Sequence, residues 1–138
     1  MSAELESLGR RAVACKRWRW MPGMLCYWKE RGGASGQQVR PTSARVAELP
    51  MGPLPLAFCI GDPSAVYSNA LPDLSDPATL GCLLALVREA WVDLHMVAHC
   101  DDRYGKTVWW LSRWGDLPRS CECSTEASAL VAALEAAP

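Results

Sequence analysis

The chain has 138 residues, half of them apolar, and its net charge is −1. This length is typical of one domain, and so many apolar residues can form a core without help from a metal or a disulfide. No apolar run approaches the ~18 residues of a membrane span, and the N-terminus lacks the apolar segment of a secretion signal. We therefore expect a single domain over residues 1–138, in the cytoplasm and away from membranes.

The small net charge hides an uneven distribution along the chain. Residues 1–45 contain nine basic and three acidic side chains, a surplus of six positive charges. Residues 46–138 contain five basic and twelve acidic side chains, a surplus of seven negative charges. Two interpretations stay open: the halves pack together and neutralise each other, or one of them forms an interaction surface.

The N-terminal part predicts a helix followed by a hairpin. Apolar residues recur at helical spacing over residues 3–14, and Ser2 is placed to cap this helix. Residues 16–20 alternate between basic and tryptophan side chains, which is the period of a strand. Residues 21–24, Met-Pro-Gly-Met, have the proline and glycine of a turn, and residues 24–28 predict the returning strand.

The middle of the chain has weaker signals. Residues 29–53 are rich in glycine and proline and have little periodicity, which predicts a long irregular loop. Val39 and Val46 mark the only short strand that we expect inside it. Residues 54–60 predict a third strand, which Pro55 restricts to a sheet edge because proline cannot donate a ladder hydrogen bond.

The second half predicts helix, hairpin and helix. Ser75 or Asp76 can cap a helix over 76–91, and its apolar stripe consists of Leu80, Leu83, Leu84, Val87 and Trp91. Strands over 94–100 and 106–113 flank a polar turn, and Ser124 caps a last helix over 125–136. The fold class that follows is α+β: an antiparallel sheet of four to five strands with helices packed on one face, in the order α-ββ-(β)-α-ββ-α.

No set of residues meets the requirements of catalysis. A cysteine nucleophile needs a base within reach, but His99 and Cys100 are strand neighbours and point to opposite faces. We therefore expect no enzymatic activity and no cofactor. The seven cysteines are odd in number, which favours free and mostly buried thiols. A zinc site of His99, Cys100, Cys121 and Cys123 stays open as an alternative, although its spacing lacks the usual two-residue gap.

The tryptophans and arginines predict a binding surface instead. Trp18, Trp20, Trp91 and one of Trp109 and Trp110 are expected in the core, which leaves Trp28 and Trp114 exposed. Tryptophan and arginine are enriched in binding hot spots and also contact single-stranded nucleic acid. With Arg17 and Arg19 on one strand face, we predict a binding surface on the N-terminal hairpin, formed by Arg17, Arg19, Trp28, Lys29 and Arg31.

Three segments together resemble a known group of proteins. They are residues 9–24, which contain GRRAVAC and WRWMPGM; residues 71–91, LPDLSDPATLGCLLALVREAW; and residues 124–137, which begin STEA and end LEAA. They resemble small uncharacterised proteins encoded by bacteriophages and prophages.

The resemblance implies a context and a class of function. It implies a small non-enzymatic accessory protein in the bacterial host cytoplasm that binds and inhibits or modulates a host protein or ribonucleoprotein complex, such as a CRISPR surveillance complex. The alternative is an accessory protein that binds nucleic acid directly through the basic and aromatic N-terminal hairpin. The oligomeric state stays open.

Overall fold

The first helix begins and ends where the sequence predicts. The computed structural model describes residues 2–29, 41–49, 52–55, 70–103, 105–113 and 122–138, and in it helix α1 spans Ala3–Ala14. The Oγ of Ser2 accepts a hydrogen bond from the Leu5 N–H at 3.3 Å, so Ser2 is the N-cap. Leu8 and Ala12 are buried, which places the predicted apolar stripe of α1 in the core.

Four strands form one antiparallel sheet. They are β1 (Leu25–Lys29), β2 (Pro41–Leu49), β3 (Gly52–Pro55) and β4 (Leu71–Pro72), in the spatial order β3-β2-β1-β4. Pro55 does lie in an edge strand, as predicted. Both edges of this sheet thus contain proline, which lacks the N–H that a further strand would need.

The predicted N-terminal hairpin is wrong, although its turn is correct. Residues 16–20 are not a strand, and β1 pairs with β2 from Leu25↔Arg45 to Lys29↔Pro41. Residues 21–24 do form a turn, with Gly23 at φ +96°. The turn faces β2 because the Gly23 N–H donates to the Val46 carbonyl and the Val46 N–H donates to the Met24 carbonyl, both at 2.8 Å.

The predicted loop over 29–53 is wrong for its second part, which contains β2 and the beginning of β3. Val46 lies in β2 and is buried, as its apolar side chain requires, but the rest of β2 has little periodicity. Its strand conformation follows from pairing with β1 on one side and β3 on the other, a non-local cause that local propensity does not record. Residues 30–40, and residues 56–60 of the predicted third strand, lie outside the described residues.

The elements of the second half agree closely with the prediction. They are helix α2 (Pro77–Ala90), strands β5 (Met96–Arg103) and β6 (Lys106–Arg113), and helix α3 (Glu126–Glu135). The N-cap of α3 is Thr125 rather than the predicted Ser124. The α+β class is confirmed, but β5 and β6 form a separate two-stranded sheet and do not extend a single sheet of four to five strands.

Helix α3 is the most enclosed of the described helices. Six of its ten residues are buried, and three of these are alanines. Small side chains allow close approach, and α3 packs against α1, α2 and both strands of the β5–β6 hairpin. The hairpin therefore packs on α3 rather than joining the larger sheet. Among the described residues, no helix combines the length and the apolarity that crossing a membrane requires.

Helix α2 ends in a turn that normally contains glycine. The Asp93 N–H donates to the Arg88 carbonyl at 2.9 Å and the Val92 N–H donates to the Glu89 carbonyl at 3.1 Å, which is the Schellman pattern. Val92 occupies the left-handed position with φ 52° and its side chain is 91% exposed. A β-branched residue is unfavourable there, and Val92 gains no burial in return.

Leu83→Ala tests the packing of α2. Leu83 is fully buried, so truncation should lower the free energy of unfolding by roughly 2–5 kcal/mol in denaturant melts. Leu84 is only half-buried, and Leu84→Ala makes the same chemical change with a smaller loss. Equal losses at the two positions would contradict this assignment of the buried face.

Val92→Gly should make the protein more stable. Glycine removes a steric penalty of about 1–2 kcal/mol from the folded state. It also gives the unfolded chain more conformational freedom, which offsets about 0.4–1 kcal/mol of that gain. We expect a net gain of about 0.5–1 kcal/mol in thermal or urea unfolding. Leu94→Ala is the control, because Leu94 is also exposed but has no positive φ; its effect should stay within about 0.5 kcal/mol.

Candidate functional site

Of the residues predicted to form the binding surface, the structure describes the side chains of Arg17, Arg19 and Trp28, and these three do not share a surface. Trp28 is only 8% exposed and belongs to the core, so the prediction that it is exposed is wrong. Its burial follows from its position in β1, an inner strand of the sheet. Lys29 ends β1, and its side chain lies outside the described part of the chain, as does the whole of Arg31.

Arg17 and Arg19 belong to an irregular segment, residues 15–20, that runs past the C-terminal ends of the helices. The Arg17 guanidinium donates to the Pro138 carbonyl at 2.9 Å, beyond the end of α3. Arg19 forms two bonds of 2.6 and 3.0 Å to Glu89 in the last turn of α2. The C-terminal end of a helix is the negative end of its dipole, so cations are favoured there.

The predicted inward and outward alternation is correct for residues 17–20 even though they are not a strand, but Lys16, predicted on the side of the tryptophans, is exposed. Arg17 and Arg19 are exposed, whereas Trp18 and Trp20 are half-buried and pack against the core. The two indole rings meet edge to face with centroids 5.4 Å apart. Segment 15–20 is therefore anchored by its tryptophans, and its cations face outward.

Among the described residues, three ion pairs connect the basic first part of the chain to the acidic remainder. Each is bidentate, and together they are Arg11–Glu135, Arg19–Glu89 and Arg45–Asp76. Arg11 and Arg19 pair with exposed carboxylates, so these two pairs contribute little to stability. They nevertheless support the first interpretation of the charge asymmetry, in which the two parts pack together and neutralise each other.

Asp76 is the most strongly perturbed acid among the described residues. Its carboxylate bonds to the Arg45 guanidinium at 3.0 and 3.2 Å and accepts from the N–H and hydroxyl of Thr79 at 2.8 and 2.9 Å. The bonds from Arg45, followed by those from Thr79, lower the pKa of Asp76 to about 2. Because Asp76 is the N-cap of α2, this carboxylate has a structural role and is no candidate for acid–base chemistry.

A cleft of about 860 Å³ lies between segment 15–20 and the end of α3. Its cations are Arg11, Lys16 and Arg17, and its one acidic side chain is Glu135. The rest of its lining is formed by Ala14, Cys15, Leu134, Ala137 and Pro138. This cleft is a concave surface with a surplus of positive charge over an apolar floor, and it includes one residue of the predicted surface, Arg17.

The charges in the cleft are not equally available. Arg11 pairs with Glu135, and Arg17 donates to an oxygen of Pro138 and lies near enough to the Glu89 carboxylate to help lower the pKa of that group. Lys16 is exposed and has no hydrogen bond or ion pair in the described part of the chain. Lys16 is thus the unpaired cation that an acidic ligand would meet, with Arg17 beside it. No feature of the sequence distinguishes them from the other basic residues, because the distinction depends on which arginines find carboxylates.

The described thiols do not form a reactive or metal-binding group. Cys26 is buried, which raises its pKa to about 11, and burial also raises the pKa values of Cys15 and Cys82. A raised pKa keeps these thiols protonated at neutral pH and therefore weakly nucleophilic. Only Cys26 is fully buried and Cys100 is exposed, so the expectation of mostly buried thiols holds only in part.

The histidine and cysteines of the alternative zinc site lie on different faces. His99 stacks on Trp110 with centroids 5.5 Å apart, on the face of the hairpin opposite Cys100. Cys123 pairs with Trp109, directly across from Cys100, and Cys121 lies outside the described residues. Within the described ranges, no group of three potential ligands is close enough to hold a metal ion.

Comparison with known proteins gives no match, whether with family models, curated proteins or solved structures.

Asp76→Asn tests the electrostatic role of Asp76. The folded-state pKa lies below the ordinary value of 3.8, so the charged form stabilises the protein above that value and its contribution disappears as the pH falls towards 2. Asparagine caps helices as well as aspartate does, so the variant removes the charge and keeps the cap.

We expect wild type to exceed the variant by at most about 2 kcal/mol in unfolding free energy at pH 6 and by much less at pH 2. Urea melts between pH 2 and pH 6 measure this difference in unfolding free energy. The other acids are the same in both proteins, so their contributions cancel. A difference that is independent of pH would contradict the assignment.

Proposed function

We propose that the chain is a small non-enzymatic accessory protein that binds a host complex and inhibits or modulates it. The resemblance to phage and prophage proteins suggests its setting, the bacterial cytoplasm, and the class of its target, a protein or ribonucleoprotein complex such as a CRISPR surveillance complex. The observation that carries the proposal is the cleft at the end of α3, in which Lys16 has no partner among the described residues.

The cleft suits an acidic group of a partner. Lys16 adds a positive charge that no carboxylate in the described residues pairs with, Arg17 lies beside it, and Leu134 and Ala137 supply apolar contact. Guanidinium and ammonium groups form their strongest hydrogen bonds with anions. An acidic loop that enters the cleft would satisfy both cations and cover the apolar floor.

A protein carboxylate fits better than a nucleic-acid backbone. A nucleic-acid site normally presents a row of free cations, since affinity comes from neutralising several phosphates. Here Arg11 and Arg19 already bind carboxylates, and the net charge of the chain is −1. The nucleic-acid alternative now depends on the same two cations, because the hairpin on which it was based does not form.

Lys16→Glu, compared with Lys106→Glu, tests the proposal. Both lysines are exposed and both substitutions change the net charge equally, but Lys106 lies in the β5–β6 hairpin and outside the cleft. We expect Lys16→Glu to lose a host partner captured by the tagged wild type, and to lose protection of phage against host defence in a plating assay. Lys106→Glu should keep both.

A nuclease-treated lysate separates the two classes of partner. Capture of the same protein after nuclease treatment supports the proposal, whereas capture that requires nucleic acid supports the alternative. Direct binding of a labelled single-stranded oligonucleotide that weakens steeply with salt and is lost in Lys16→Glu would also support the alternative. Equal behaviour of the two lysine variants would remove the cleft from the interface.

A further inference from the structure

The outer edge of β5 has unpaired backbone groups. In an antiparallel pair, the N–H and C=O of alternate residues point away from the partner strand. The Met96 carbonyl points away from β6, since it accepts from the Arg88 side chain at 2.8 Å. With a period of two, the backbone groups of Ala98, Cys100 and Asp102 point the same way. None of these three residues has a backbone hydrogen bond on that side to any described residue.

The outer edge of β6, by contrast, has a position at which the outward-pointing backbone groups are paired. Trp109 lies across from Cys100, and its N–H and C=O point away from β5. Both groups pair with Cys123, at 2.7 and 2.8 Å. The described part of the chain thus supplies a partner for the outer edge of β6 at Trp109 but none for β5 at Cys100.

The β5 edge also lacks the protection that the larger sheet has. The edge strands β3 and β4 contain prolines, whereas β5 has none over its eight residues. Ala98 is small and Cys100 is exposed, so no large side chain stands beside the open backbone at its centre. An edge strand of this kind is a template for a further strand.

We propose that β5 pairs with β5 of a second copy of this chain, antiparallel and centred on Cys100, so that the two hairpins form one four-stranded sheet. In this register, residues 98, 100 and 102 meet residues 102, 100 and 98 of the second copy. These are the positions whose backbone groups are open. Each chain therefore donates three hydrogen bonds and accepts three, and a two-fold axis passes between the two Cys100 residues.

Charge complementarity favours a second copy as the occupant. The same register sets His99 opposite Asp101 of the second copy, and this pairing occurs twice because of the two-fold axis. An imidazole ring donates a hydrogen bond in either protonation state, and an exposed carboxylate accepts one. Opposite charges directly across a strand pair stabilise it. An unrelated strand would have no reason to present both partners at these positions.

The positions of His99 and Asp101 agree with this pairing. Both lie on the face of the hairpin that carries Trp110, and His99 is held flat against that indole ring. The Nε2 atom of His99 is buried without a partner among the described residues, which leaves Nδ1 as the ring nitrogen that can face a second chain. The Asp101 side chain is 54% exposed, and its hydrogen-bond partner among the described residues is Arg103 at 3.3 Å. It is therefore accessible to a second chain.

Cys100→Pro, compared with Cys100→Ser, tests the proposal. Proline removes the N–H at the centre of the interface, and this N–H makes no bond in the monomer, so the hairpin should still fold. Serine keeps the N–H and removes the thiol. In reducing buffer, sedimentation equilibrium should give a dimer for wild type and for Cys100→Ser, and a monomer for Cys100→Pro. Micromolar dissociation constants are expected for so small an interface, so loading should span ~1 to ~100 µM.

The thiol of Cys100 provides a second readout. Directly opposite Cα atoms in such a pair lie ~5.5 Å apart, which is within the range of a disulfide. With oxidised glutathione as oxidant, the two thiols lose two protons and two electrons, one S–S bond forms, and glutathione is released as two thiols. We expect a covalent dimer of wild type under these conditions and none of Cys100→Ser.

Asp101→Lys provides a second test of the dimer in case the Cys100→Pro variant does not fold. Asp101 is exposed, and a lysine opposite His99 replaces two favourable pairs by two unfavourable ones, so the dissociation constant should rise roughly tenfold. The proposal is overturned if wild type is a monomer at ~100 µM, if folded Cys100→Pro still forms the dimer, or if Asp101→Lys dimerises as tightly as wild type. Covalent dimer in Cys100→Ser would equally place the contact elsewhere.

Discussion

The carboxylate of Asp76 holds the N-terminus of α2 to the four-stranded sheet. It caps the helix through Thr79, and the Thr79 hydroxyl in turn accepts a hydrogen bond from the Leu25 N–H of β1 at 2.8 Å. It also binds Arg45 of β2, which reaches the Gly23 carbonyl at 2.6 Å. One acid thus fixes the helix, two strands and the turn before β1 relative to each other. It lies at 13% side-chain exposure, where such bonds are less screened than at the surface.

The sequence suggests that many basic side chains are available to bind a partner, but in the fold several of them are already paired with carboxylates. A surplus of positive charge in residues 1–45 is a common sign of an interaction surface. Here Arg11, Arg19 and Arg45 each bind a carboxylate from the second part of the chain. The surplus of positive charge therefore reflects mainly ion pairs within the chain. What is left for a partner in the cleft is Lys16, together with Arg17, which lies beside it and bonds to an oxygen of Pro138.

Elements determined by local signals could be predicted, and elements determined by distant partners could not. Helices α1 and α2 have apolar periodicity, a capping side chain and, for α2, a proline in the first turn, all within the segment itself. Strand β2 owes its conformation to pairing with two other strands, so its own residues contain little evidence for it. In segment 15–20 the error is the opposite one, because a strand was predicted where none forms. Alternation with a period of two shows that one side of the segment is buried, and it does not require pairing with another strand. The cleft was unpredictable for the same reason, since its lining joins residues more than 100 positions apart.

The cleft and the β5 edge share no residue, so dimerisation through β5 leaves the cleft of each chain available to a partner. Pairing through Cys100 occupies the edge of the β5–β6 hairpin, whereas the cleft is built from the ends of α1 and α3. A dimer would therefore present two identical clefts related by a two-fold axis. A single cleft with Lys16 and Arg17 offers few strong contacts, but binding at the second cleft becomes intramolecular once the first is filled, provided that the partner has two suitably spaced acidic sites. Self-association would in that case raise the affinity for a repetitive or symmetric complex above its affinity for a single acidic segment, without any new contact.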